Sequence, residues 1–205
     1  MTIYLVRHGE TGHNRDGLGL GRADVELTDL GMAQARAVAD RLASAPVSRV
    51  LASPLTRAFD GAQAIAKRHG LEPEISAALT ELDAGETEGF PFAEIRERFP
   101  EFLKTWAAES GWEATMPGGE SIRDVADRLE PLAAELLDGG DQEIVVVSHN
   151  FTLRVLACHL LGISPARFRT FEIGLASITA LVVRGGRCHV RSVNDRCHLA
   201  HLNLA

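Results

Sequence analysis

Four apolar residues in a row, Ile3, Tyr4, Leu5 and Val6, open the chain, and the run stops at Arg7-His8-Gly9. An unbroken apolar stretch of that length predicts a strand covered on both faces, as in a parallel sheet. The glycines at 9, 12, 17, 19 and 21 predict a loop over residues 9–26. The period then lengthens: Thr28 reads as an N-cap, Leu27 and Met32 as a hydrophobic staple, and Ala33, Ala37 and Leu42 as one helix face running towards Pro46. Arg49 to Ala52 predicts a second strand. Ser53-Pro54 reads as N-cap and N1 of a second helix that closes at Gly70.

Residues 71–118 lose the regular period but hold Phe90, Phe92, Phe99, Phe102, Trp106 and Trp112. They predict a helical excursion over one end of the sheet, with a small lid at about 90–118. Ser121 caps a helix with Ile122, Val125, Leu129, Leu132 and Leu136 on one face, and Pro131 as a candidate kink. Residues 142–148, Gln142 to Ser148, carry the strongest buried-strand signal and lead to His149, with a helix over 151–161 closed by Gly162. Ile178 to Val183 and Cys188 to Val193, either side of Gly185-Gly186, predict a hairpin. Strands alternating with helices predict an α/β fold: a three-layer α/β/α sandwich on a mainly parallel sheet, with 1–205 as a single domain.

Composition narrows the function classes. No stretch reaches the roughly 20 apolar residues of a membrane span, and no signal peptide precedes the first strand. Cys158, Cys188 and Cys197 are odd in number and lack C-x-x-C spacing, which speaks against a disulfide framework and for a cytoplasmic protein. A net charge of −7 argues against a nucleic-acid partner. Any anion site must therefore be a local cluster of cations in an acidic protein. Cys188-His189 and Cys197-His198 with His201 do not make a metal site, because strand neighbours point to opposite faces. The hairpin offers an edge for a homodimer.

Ligands of parallel sheets bind beyond the carboxyl ends of the strands. Three strand–helix junctions carry suitable groups: Arg7-His8, Arg57 in the opening turn of the second helix, and His149 after the Val-rich strand. Arginine presents a planar fork to phosphate oxygens, neutral imidazole can act as a nucleophile, and helix N-termini add amide donors. Of the acidic residues nearby, Glu81, Asp83, Glu86 and Glu88 are all candidates for a general acid.

Leu5-Val6-Arg7-His8-Gly9-Glu10-Thr11 with Asn14 resembles the opening signature of the histidine phosphatase superfamily, which includes the cofactor-dependent phosphoglycerate mutases. The likeness continues through Asp24, Leu27-Thr28, Gly31, Gln34-Ala35 and Ser53-Pro54-Leu55-Thr56-Arg57-Ala58 to Glu81, Gly85 and Glu88-Gly89. Gly118-Gly119-Glu120-Ser121, Val147-Ser148-His149, Asn194-Asp195 and His198-Leu199 complete it. The resemblance implies His8 as nucleophile, with Arg7, Arg57 and His149 binding the phosphoryl oxygens. It also implies Glu81 as acid and base, and Asn14, Gly21 and Asn150 as substrate-binding residues.

It implies no metal or organic cofactor, and a small phosphorylated metabolite as partner. Thr87 stands where the family often has an aromatic, and Leu20 where the mutases often have a hydroxyl. Residues 90–118 carry only Arg96, Arg98 and Lys104 against five glutamates. These features favour a phosphatase over a mutase, and the presence of His8, His149, Arg7, Arg57 and Glu81 favours it over a non-catalytic phospho-ligand binder.

Overall fold

A strand covered on both faces is apolar at every position, and its alternate side chains feed two different cores. The computed structural model, which describes residues 1–140 and 143–202, shows this division directly. Its elements run β1 (Thr2–Arg7), α1 (Gly12–Arg15), α2 (Asp29–Leu42), β2 (Val47–Ala52), α3 (Thr56–His69) and β3 (Glu74–Ile75). They continue with α4 (Phe92–Arg98), α5 (Pro100–Ala107), α6 (Ile122–Asp138), β4 (Glu143–Ser148), α7 (Asn150–Leu160), β5 (Ile178–Arg184) and β6 (Arg187–Asp195). The sheet order is β3-β2-β4-β1-β5-β6, with β3, β2, β4 and β1 parallel and β5 antiparallel to both its neighbours.

On one face Ile3, Leu5, Ile144 and Val146 pack with Val125, Leu129 and Leu136 of α6 and Leu153 and Leu156 of α7. On the other, Val6, Val50, Val145 and Val147 pack with Val38 and Leu42 of α2 and Ala58, Ala62 and Ile65 of α3. The expected three-layer α/β/α arrangement is thus built from one alternation shared by β1 and β4, which lie in register from Thr2 against Glu143 to Arg7 against Ser148. Both strands end together, so His8 and His149 leave the sheet side by side.

Several boundaries differ from the sequence expectation, each for a physical reason. β2 begins at Val47, two residues early, and its pairing with β4 shifts register there. Gln142, the expected start of β4, lies outside the described residues. The loop over 9–26 contains a helical turn, α1, closed by a reciprocal capping box between Thr11 and Asn14. Ser53-Pro54 does not start α3: the helix begins at Thr56, and Asp24 accepts from both the Thr56 amide (2.7 Å) and its hydroxyl (3.0 Å). A remote carboxylate takes the capping role, which releases Ser53 for another partner. The hairpin closes on Gly185 and Gly186 at φ 56° and 71°, the left-handed pair that a two-residue turn matched to strand twist requires. Among the described residues no helix is long and apolar enough to cross a membrane.

The first strand–helix loop is held by close backbone contact. A Cβ on Gly9 would lie 2.4 Å from the Gly31 carbonyl oxygen, and one on Gly31 would lie 2.1 Å from that of Glu10. The N-terminus of α2 therefore presses onto the backbone that follows His8, and neither glycine has room for a methyl group. Gly31→Ala should cost about 1–3 kcal/mol, the usual penalty of overpacking, read as a lower urea midpoint. An unchanged midpoint would show that this contact does not fix the loop.

Candidate active site

Each group comes from the end of a strand or the start of a helix. His8 follows β1 and is 4% exposed. Its Nδ1 lies 2.7 Å from the carbonyl oxygen of Gly9. A carbonyl only accepts, so Nδ1 carries the proton and Nε2 is left with its lone pair. His149, the N-cap of α7, is fully buried with its ring centroid 5.1 Å from that of His8. Its Nε2 lies 2.8 Å from Ser53 Oγ. Ser53 Oγ accepts the Leu55 amide and has its own proton to offer Nε2. In that arrangement the His149 proton sits on Nδ1.

Two arginines complete the cluster. Arg7 Nη1 donates to the Ile173 carbonyl at 2.8 Å. Arg57, fully buried, donates from Nη1 to Ala23 O and from Nη2 to Gly21 O, each at 2.7 Å. These partners are dipoles, and neither guanidinium is in an ion pair with a carboxylate, although Glu81 acts on both from a distance. Burial pulls the Arg7 guanidinium down to about 10, against the pull of Glu81, and lowers Arg57 too. Burial, with Arg7 and Arg57 close by, holds the His8 imidazolium well below the ordinary histidine range. Burial also does so for His149, reinforced by His8 and the same arginines. Both rings are therefore neutral near pH 7. Arg7 Nε, Arg57 Nε and His149 Nδ1 are buried donors with no partner among the described residues. Unpartnered buried nitrogens on three residues of the cluster suit a ligand with several acceptor oxygens, as a phosphoryl group has.

Glu81 is 4% exposed and sits at the start of α7. Its carboxylate accepts from the amides of Leu82 (2.8 Å), Phe151 (3.1 Å) and Thr152 (3.2 Å), and from Thr152 Oγ1 (3.1 Å). It thus satisfies amides that the first turn of α7 leaves open. The neighbouring acids do other work. Glu88 Oε1 accepts from Gly21 N (2.6 Å) and Ala23 N (2.8 Å), the two residues whose carbonyls hold Arg57. Asp83 takes the Gly85 amide, and Glu120 pairs with Arg22 at 2.6 Å.

Asn14 Oδ1 is occupied by the amide and hydroxyl of Thr11, which turns its NH₂ away from the cap. Gly21 is brought to the cluster, but its N–H and C=O are both taken by Glu88 and Arg57, and a Cβ there would meet Ala84 N at 2.6 Å. Asn150 is the first residue of α7, with its amide oxygen buried and unpartnered among the described residues. Arg154, further along α7, escaped sequence reasoning because nothing in its spacing marks it. Burial lowers its guanidinium, with Glu81 and Glu172 acting the other way. Arg128 of α6 also escaped notice; it binds the carbonyls of Ala78, Thr80 and Glu81 and so pins the Glu81 segment. Among the described residues no three His, Cys, Asp or Glu side chains gather as a metal site would require.

The family model of the histidine phosphatase superfamily (branch 1) matches residues 3–196. Phosphoserine phosphatase 1 of Hydrogenobacter thermophilus is 31% identical over 200 residues, covering 97% of this chain and 94% of that protein. The structure of mycobacterial glucosyl-3-phosphoglycerate phosphatase superposes with a TM-score of 0.84 at 30% identity, covering 94% of this chain and 98% of the other. That of the alpha-ribazole phosphatase from Shigella flexneri does so with a TM-score of 0.85 at 28% identity, over 96% and 97%.

The buried neutral histidines make stability pH-dependent. A ring whose folded pKa lies below its unfolded value of about 6.5 gives up its proton on folding. The stability it contributes is therefore lost as pH falls through 6.5 towards the folded value. For His8 and His149 together the limiting slope is about 2.7 kcal/mol per pH unit. Urea unfolding in phosphate-free buffer should show a marked loss of stability between pH 7 and pH 5.5. A flat profile would mean that the rings are not held neutral.

Proposed function

The chain belongs to the histidine phosphatase superfamily, branch 1, and from that premise we propose that His8, Arg7, Arg57, His149 and Glu81 hydrolyse phosphomonoesters of small metabolites. The observation that carries this reading is the Nδ1–H to Gly9 bond, which leaves Nε2 of a neutral His8 as the nucleophile beside the Arg7 and Arg57 cations. Nε2 attacks phosphorus in line with the ester oxygen. The P–N bond forms as the P–O bond breaks, and Glu81 passes a proton to the departing alcohol. The resulting carboxylate is received by the amides of Leu82, Phe151 and Thr152. It then takes a proton from water, whose oxygen attacks phosphohistidine and releases inorganic phosphate.

Arg7, Arg57 and the Nδ1–H of His149 bind the phosphoryl oxygens, and stabilise the charge that builds on them as the bond order shifts. The Asn14 amide adds a donor from α1, and Asn150 one from the start of α7. Gly21 contributes through Arg57, which its carbonyl orients. Residues 90–118 serve as the lid of this single domain. The named relatives are a phosphoserine phosphatase, a glucosyl-3-phosphoglycerate phosphatase and an alpha-ribazole phosphatase. Water access to phospho-His8, rather than return of the phosphoryl group to a bound intermediate, is the outcome supported here.

His8→Ala should abolish phosphate release, by about 10³-fold or more, and remove acid-labile labelling of the protein by ³²P-substrate while leaving its circular dichroism unchanged. Turnover within tenfold of the parent would refute the assignment. Glu88→Ala should loosen the carbonyl pair that holds Arg57. An increase of roughly tenfold in the inhibition constant of inorganic phosphate is expected, and an unaltered constant would show that Glu88 does not position the cation.

A further inference from the structure

An apolar cavity of about 170 Å³ is walled by Leu20, Leu82, Phe92, Leu103, Trp106 and Phe151 among others. Two of these are tied to Glu81 itself: Leu82 follows it in the chain, and the Phe151 amide donates to its carboxylate. In an in-line displacement the nucleophile and leaving group lie on opposite sides of phosphorus, so the space beside the proton donor is where the alcohol portion sits. No residue lining the cavity carries a charge. The one hydroxyl, that of Thr87, is spent on the Ala84 carbonyl at 2.8 Å. Trp106 packs on Phe168 at 6.0 Å, has the Arg169 guanidinium 5.2 Å from its ring centroid, and meets Phe151 edge-on at 5.9 Å.

Two of the excursion's three cations stack on its own aromatics, and the exposed Lys104 does not line the cavity. Arg98 lies 4.1 Å over Phe90, and Arg96 5.2 Å over Phe92. Nothing in the cavity offers a carboxylate a counter-charge, while an apolar cavity of roughly 150 Å³ is large enough to admit benzene. We propose that the cavity is the leaving-group subsite, and that the preferred substrates are phosphomonoesters of alcohols bearing an aromatic ring rather than a carboxylate. This rests on Glu81 being the proton donor.

Binding of non-hydrolysable phosphonates to the full chain, followed by Trp fluorescence and calorimetry, reads the subsite without turnover. Benzylphosphonate should bind at least tenfold more tightly than phosphonoacetate. Leu103→Arg should erase that preference while leaving the affinity for inorganic phosphate unchanged. Phe92→Lys, at the exposed mouth, should reduce the preference if Leu103→Arg does not fold. Equal affinities, a preference for phosphonoacetate, or variants that keep the aromatic preference would overturn the proposal. Failure of the hydrolytic reading shows separately, as absence of a phosphoenzyme with 1-naphthyl phosphate even where benzylphosphonate binds.

Discussion

A nucleophilic imidazole must be neutral, oriented, and surrounded by positive charge, and the last demand supports the first. The arginines that await a phosphoryl group also raise the cost of a second proton on His8, and burial adds to that cost. Orientation comes from a single hydrogen bond within the chain's own turn, Nδ1–H to the Gly9 carbonyl, so the ring presents one defined nitrogen. The cations are kept buried with no carboxylate in direct contact. Backbone carbonyls hold Arg7 and Arg57 in place and leave their charge for the ligand.

That arrangement explains why the surrounding scaffold is rigid in unusual places. The Gly21 and Ala23 carbonyls hold Arg57 because Glu88 grips the amides of the same two residues. Glu81 is fixed from three directions, by the first turn of α7, by Arg128 through the carbonyls beside it, and by Thr152 Oγ1. The loop that carries Ile173 bonds back to β1, with the Ala176 amide on the His8 carbonyl at 3.0 Å. Ala176 adopts a left-handed φ of 52° there, and His198 holds its carbonyl at 3.0 Å. A strained residue beside the nucleophile is sustained by the packing around it.

The parts that sequence made legible are those governed by short-range rules. The doubly covered strands β1 and β4, the Thr28 and Ser121 caps, the left-handed Gly70 and the Gly-Gly hairpin each depend on neighbours in the chain. Arg7, His8, Arg57 and His149 were visible because each stands where a strand or helix ends. What stayed hidden depends on pairs distant in sequence. Asp24 capping α3 leaves Ser53 to His149, a contact across 96 positions that turns a plausible N-cap into a ring-orienting hydroxyl. Among four acids within eight residues, only tertiary placement separates Glu81, at the α7 terminus, from Glu88, which braces the Arg57 carbonyls. Arg128 and Arg154 have no local signature, since their roles come from what they face.

The tautomer of His8 is the most direct test of this account. Long-range ¹H–¹⁵N correlation spectra of protein labelled with ¹⁵N-histidine, assigned by comparison with a His8 variant, report which ring nitrogen is protonated. At pH 6 the expected state is a neutral ring with hydrogen on Nδ1 and a bare Nε2. A ring protonated on Nε2, or an imidazolium at that pH, would contradict it.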